Sequence, residues 1–191
     1  MSDSPTRRLR RYRPDPVEAV GIVAMLGLVV ASTLEGGTLL QKGLFLVTPP
    51  ALFGVAYVND EKMLAALEVV VQIGAVLAFL PSLSLAVRFA VLGGSALLCV
   101  GYLVRIDYLE EDRYWPVGGT GLLILAVGIS ISGTQPLVFD SLLVLGSILL
   151  GVYSLLGLVV LGVRVQAIWV VLNVAFGISP GLRLLGLLGV L

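Results

Sequence analysis

The sequence predicts an all-α integral membrane protein: a polytopic helical bundle of about seven transmembrane helices, or six if segment 38–58 is re-entrant. Three observations predict it. Hydrophobic residues make up 58% of the 191 positions and charged residues only 13%, against about 25% charged in a soluble domain. The mean hydropathy of +1.07 is correspondingly high. A soluble fold of this size could not cover its surface with so few polar side chains. The few charges cut the chain into seven uncharged stretches, 19–34, 43–59, 69–87, 89–104, 114–139, 141–163 and 165–182. These approach the roughly 20 apolar residues that a membrane helix needs. Period-two alternation is absent and the runs exceed barrel-strand length, so helices are the spanning element.

The N-terminal segment 1–16 reads as a disordered basic tail, with Arg7, Arg8, Arg10, Arg11 and Arg13 followed by Pro14 and Pro16. Such a tail anchors the N-terminus in the cytoplasm, and its arginines suit contact with anionic lipid. No folded or aromatic-lined element supports nucleic-acid binding. Residues 17–191 form a single transmembrane domain, with the lipid bilayer as its main partner and a homo- or hetero-oligomer left open.

Corrected for turns, the spans are 17–35, 38–58, 63–80, 82–104, 114–133, 137–163 and 165–187. Glu35-Gly36-Gly37 turns the first hairpin, Asn59-Asp60-Glu61-Lys62 the second and Pro81-Ser82 the third. Residues 105–113 form the longest loop. Thr134-Gln135-Pro136 and Arg164 mark the remaining turns. Pro49-Pro50 removes backbone donors from the middle of the second span, so a kink, a break or a re-entrant segment is expected there. Pro180-Gly181 interrupts the last span, whose end either completes the crossing or lies in the interface.

Basic residues choose the orientation. With seven spans and the N-terminus inside, nine Lys and Arg fall on the cytoplasmic side and two, Lys42 and Arg183, outside; with six spans the ratio becomes six to five. Seven spans are therefore preferred, in the cell (plasma) membrane. Val29-Val30-Ala31 matches a small-residue cleavage site, but the chain re-enters an apolar run within a few residues, which argues against removal.

The counts exclude much chemistry. There is no histidine, which removes Ser-His-Asp and Cys-His catalysis, His-ligated haem and imidazole zinc sites. The single cysteine, Cys99, can form no intrachain disulfide and reads as a small buried hydrophobe. No catalytic, cofactor-binding or metal site is expected. Asp107, Glu110, Glu111 and Asp112 read as a solvated loop rather than a metal cluster. The last span lacks the lysine that a retinal Schiff base needs.

What remains are polar residues inside spans, which cost enough to demand an interior, a cavity or a partner. Glu68 and Gln72 lie four apart and share a helix face. Glu68 stands roughly 8 Å from the cytoplasmic edge at the helical rise, level with Gly93-Gly94-Ser95 of the next helix. Those glycines would admit a close helix or a ligand. Asn173 and Gln166 fall in the same half, so Glu68, Gln72 and Asn173 form the candidate intramembrane polar site. Arg88, roughly 9 Å from the outer edge, is at a depth similar to that of Asp140, and the two are expected to pair. Gly94 with Gly101, Gly121 with Gly128, and Ser147 with Gly151 read as helix-packing faces.

Three functions compete, the weakest an intramembrane or interfacial enzyme that would use the carboxylates of the 105–113 loop with a metal. A small transporter or channel-like protein is suggested by Glu68, Gln72 and the proline-interrupted second helix. A non-catalytic membrane subunit or scaffold is suggested by the short loops and packing glycines. The discriminating feature is a water-accessible cavity reaching Glu68; a dry, fully packed bundle favours the subunit.

Overall fold

The structure is a computed structural model that describes residues 16–111, 113–160 and 166–190. The arginine tail with Arg7, Arg8, Arg10, Arg11 and Arg13, the loop residue Asp112 and the turn at Arg164 lie outside the described residues. Among the described residues there is no strand. Seven long helices, α1 (Pro16–Thr33), α2 (Leu39–Val58), α3 (Lys62–Leu77), α4 (Leu85–Arg105), α6 (Trp115–Ser130), α7 (Pro136–Val159) and α8 (Gln166–Leu187), follow one another. A single turn, α5 (Tyr108–Glu111), breaks the expected 105–113 loop. Four segments are long and apolar enough to cross a membrane: Leu39–Val58, Leu85–Arg105, Pro136–Val159 and Trp169–Leu187.

Local chemistry sets the helix starts. Thr38 and Ser84 cap α2 and α4, accepting hydrogen bonds from the backbone N–H of Gln41 and Val87. Prolines open α1 and α7 and stand in the first turn of α6, where the missing N–H has no helical partner in any case.

The prolines inside helices do not break them. α2 runs unbroken from Leu39 to Val58 through Pro49-Pro50, so the expected interruption or re-entrant turn is not found. Pro49 is fully buried and α2 is packed between α1 and α3. Tertiary contact on both sides outweighs the lost backbone bonds. α8 likewise continues through the buried Pro180 to Leu187.

Six helices close a ring in the order α1–α2–α3–α6–α7–α8, with α8 returning to α1. α4 stands outside it, against α3 and α6. It buries only Arg88, Leu92 and Leu103, and the Cys99 thiol donates to the Ala66 carbonyl of α3 at 3.3 Å. Small residues draw α6 and α7 together: a side chain at Gly121 or Gly146 would collide with the facing helix. Gly93, Gly94 and Gly101 of α4 are different, because nothing lies within 4 Å of where their side chains would be. The packing expected for Gly94 and Gly101 is absent.

Apolar side chains fill the core and also cover much of the surface. Leu39, Leu97, Leu98 and Val159 are each more than 70% exposed, while Gln41, Glu68, Arg88, Asp140, Gln166 and Asn173 are buried.

Candidate functional site

Among the buried polar residues two groups stand out, one at an end of the ring and one deeper inside it. The first group gathers where the α1–α2, α3–α4 and α6–α7 turns meet the end of α8. Its core is a contact between Gly37 and Gly133, both at positive φ, +88° and +83°. Their backbones approach so closely that a Cβ on either would overlap the other's Cα. Gln41 binds this junction: its side-chain oxygen accepts from the Gly37 N–H at 2.8 Å and the Ser132 hydroxyl at 2.5 Å. Its amide nitrogen donates to the carbonyls of Ala31 and Leu34.

The expected pairing of Arg88 with Asp140 is not formed. Asp140 instead pairs with Arg183 of α8, Nη2 to Oδ1 at 2.6 Å, and Arg183 Nε donates to both carboxylate oxygens at 3.2 Å. Arg183 Nη1 also donates to the Ser32 carbonyl of α1 at 2.7 Å and to Ser179 Oγ at 3.1 Å. Arg88 finds no carboxylate. It donates to the carbonyls of Leu77, Leu80, Leu83 and Ser130. Leu77 and Ser130 are the last residues of α3 and α6, and helix C-termini carry the negative end of the backbone dipole. Two helix ends therefore take the place of the counter-ion, and this end of the bundle is fully bonded around its charges.

The second group is unlike the first. Among the described residues, three buried side-chain oxygens lack a hydrogen-bond partner, Glu68 Oε2, Gln72 Oε1 and Gln166 Oε1. Buried polar atoms are nearly always satisfied, so each orphan calls for a reason. Glu68 is 6% exposed and lines a cavity of about 40 Å³ inside the ring. Leu64 and Val71, four residues before and three after it, line the same wall from α3. Asn173 lines it from α8 and Ser154 from α7, and the other lining side chains, Phe176 among them, are apolar apart from the indole N–H of Trp169. One Asn173 amide N–H donates to the Trp169 carbonyl at 2.8 Å.

The structure thus brings Glu68 and Asn173 to one cavity. Gln72, a turn beyond Glu68, is half-buried and does not line it. The glycines of α4 are not beside the carboxyl either, since α4 contributes nothing to the cavity wall. Ser154 was missed by sequence reasoning; the available signal was a hydroxyl in an otherwise apolar run of α7. Gln166 stands at the start of α8, seven residues before Asn173 and so on the same helix face, where a side chain at Gly157 would touch it. Among the described residues, no three Cys, Asp or Glu side chains cluster as metal ligands. Comparison with protein-family models, with curated proteins and with solved structures finds no match to the chain.

Proposed function

We propose that the chain is a multi-pass protein of the plasma membrane, crossing it seven times with its N-terminus in the cytoplasm, and that it acts as a small transporter or channel-like protein. The membrane reading is supported by the many large apolar side chains on the outer surface of the bundle, such as Leu39, Leu97, Leu98 and Val159, outside a core that is itself apolar. The continuity of α2 supports seven crossings over six. Reporter fusions test the topology: a fusion at residue 109 is expected on the cytoplasmic side and one at the C-terminus on the outer side. An outer signal at 109 overturns the seven-crossing arrangement.

The transport reading rests on one observation: Glu68, with its buried Oε2 unpartnered, lines a cavity among α1, α3, α6, α7 and α8. At about 40 Å³ the cavity takes a species the size of one or two waters, not an organic solute. The test is ion and proton flux into liposomes reconstituted with the full chain. Wild type is expected to carry flux, and Glu68→Gln is expected to abolish it while leaving thermal stability unchanged, since Gln matches a neutral carboxyl in shape. Flux equal to wild type in Glu68→Gln overturns the role of the site.

A second reading, a membrane subunit that packs against a partner, is supported by the outward face of α4, where Gly94 and Gly101 are unpacked. A stable complex in mild detergent, with no flux under any gradient, favours that reading.

A further inference from the structure

We propose that the Glu68 cavity is a proton-binding site, in which the carboxyl takes up and releases a proton through water held against Asn173 and Ser154. The inference deepens the transport reading by naming the species the site takes. It begins with the geometry. Glu68 is buried, one of its oxygens has no partner, and the cavity it lines has room for about two waters. Besides Ser154 and Asn173, the only other polar group among the lining side chains is the indole N–H of Trp169.

A metal cation does not suit this wall. Hard cations gather about six oxygen ligands, and here three oxygen-bearing side chains are set among apolar ones. The backbone carbonyls behind them belong to helices and already accept helical hydrogen bonds. A proton needs no coordination shell, only the carboxyl itself and a water that can donate or accept.

The charges on the surrounding helices point the same way. Besides Glu68, α3 carries Lys62, and α2, packed on it, carries Lys42 and Tyr57. The outer helix α4 carries Arg88, Cys99, Tyr102 and Arg105, α7 carries Asp140 and Tyr153, α8 carries Arg183, and α6 carries no ionisable side chain. None of these lines the cavity, and the one ionisable residue of α1, Glu18, is outside the described side chains, so among those described Glu68 is the cavity's only ionisable group. Arg88 and Arg183 are committed to helix-end carbonyls and to Asp140. A carboxylate in the cavity has no cation beside it to balance its charge, whereas the protonated acid is neutral and needs only a hydrogen bond. Gln166, with its own orphan oxygen, stands on the same face of α8 as Asn173, nearer the end where α8 begins. It supplies an acceptor between that end and the cavity.

Dicyclohexylcarbodiimide, an apolar reagent that adds to protonated carboxyls, tests the site in the purified full chain. Mass spectrometry is expected to find the adduct on Glu68, with labelling lost as pH rises and absent in Glu68→Gln. The exposed Asp60 serves as a control and is expected to react only with a water-soluble carbodiimide. Infrared difference spectra provide the second measurement: a carboxylic C=O band that titrates in wild type is expected to vanish in Glu68→Gln and to shift in Asn173→Leu. Glu68→Asp, which keeps the acid, is expected to retain a titrating band. Folded protein in which Glu68 escapes labelling and shows no titrating band at any pH overturns the proposal. A Glu68 that titrates without proton flux in liposomes upholds the proton site and removes the transport reading; flux with a Glu68 that never titrates does the reverse.

Discussion

Arg183→Leu is expected to cost the bundle about 3–5 kcal/mol, the range for breaking one side of a buried ion pair. The reason is what it leaves behind. Asp140 is only 3% exposed, and Arg183 is the cation it bonds. Removing the guanidinium strands that carboxylate and also withdraws the donor from the Ser32 carbonyl, a polar tie between α8 and α1. The double variant Arg183→Leu with Asp140→Leu is expected to be more stable than Arg183→Leu alone, since replacing both partners removes the buried charge together with its counter-charge. Thermal unfolding of the full chain in detergent measures each. A loss below about 1 kcal/mol for Arg183→Leu, as for an exposed pair, or a double variant equal to the sum of the singles, overturns this account. The same cycle separates Asp140 from Arg88. The two share no hydrogen-bond partner, so Arg88→Asp with Asp140→Arg is expected to show no rescue.

Most helix boundaries were legible in the sequence. The expected spans 38–58 and 165–187 are met by helices Leu39–Val58 and Gln166–Leu187, and 82–104 by Leu85–Arg105. Charges and turn residues interrupt the apolar runs where the backbone turns, and that signal is local. What was not legible is the order of helices around the ring. Counting 1.5 Å per residue gives a height along a helix but neither a direction around it nor a neighbour. Arg88 and Asp140 were therefore matched by height and charge, although α8 brings Arg183 to Asp140. The partners Arg88 does have are backbone carbonyls, which every residue carries and no residue type advertises. The glycines make the same point. Gly94 with Gly101 and Gly121 with Gly128 have identical spacing, yet only the α6 pair meets a neighbouring helix. Glu68 and Asn173 were visible as polar intruders in apolar runs. That they share a cavity, and that Gln72 does not line it, depends on the ring.

Arg88→Leu is expected to destabilise the protein by about 2–4 kcal/mol, because hydrogen bonds from a charged donor are worth about 1.5–3 kcal/mol and an orphaned buried acceptor about 1–3. Arg88 is 4% exposed and sits in the first turn of α4, yet its guanidinium reaches the last turns of both α3 and α6. The Leu77 and Leu80 carbonyls retain backbone donors, the N–H groups of Leu80 and Leu83. The Ser130 carbonyl at the end of α6 keeps only what Arg88 gives it among the bonds observed. Losing the arginine thus removes the positive charge that two helix C-termini share and releases the outer helix α4 from the ring at this end. Arg88→Lys isolates the geometry from the charge. An ammonium is a point donor on a flexible stem and cannot span the carbonyls that a planar guanidinium bridges. It is expected to recover part of the loss and leave α4 loosened, seen as faster amide hydrogen exchange over Leu85–Leu92 at otherwise native exchange in α7 and α8. Full stability and unchanged exchange in Arg88→Lys would show that the charge alone suffices, and near-native stability in Arg88→Leu would show that the carbonyl bonds contribute little to holding α4.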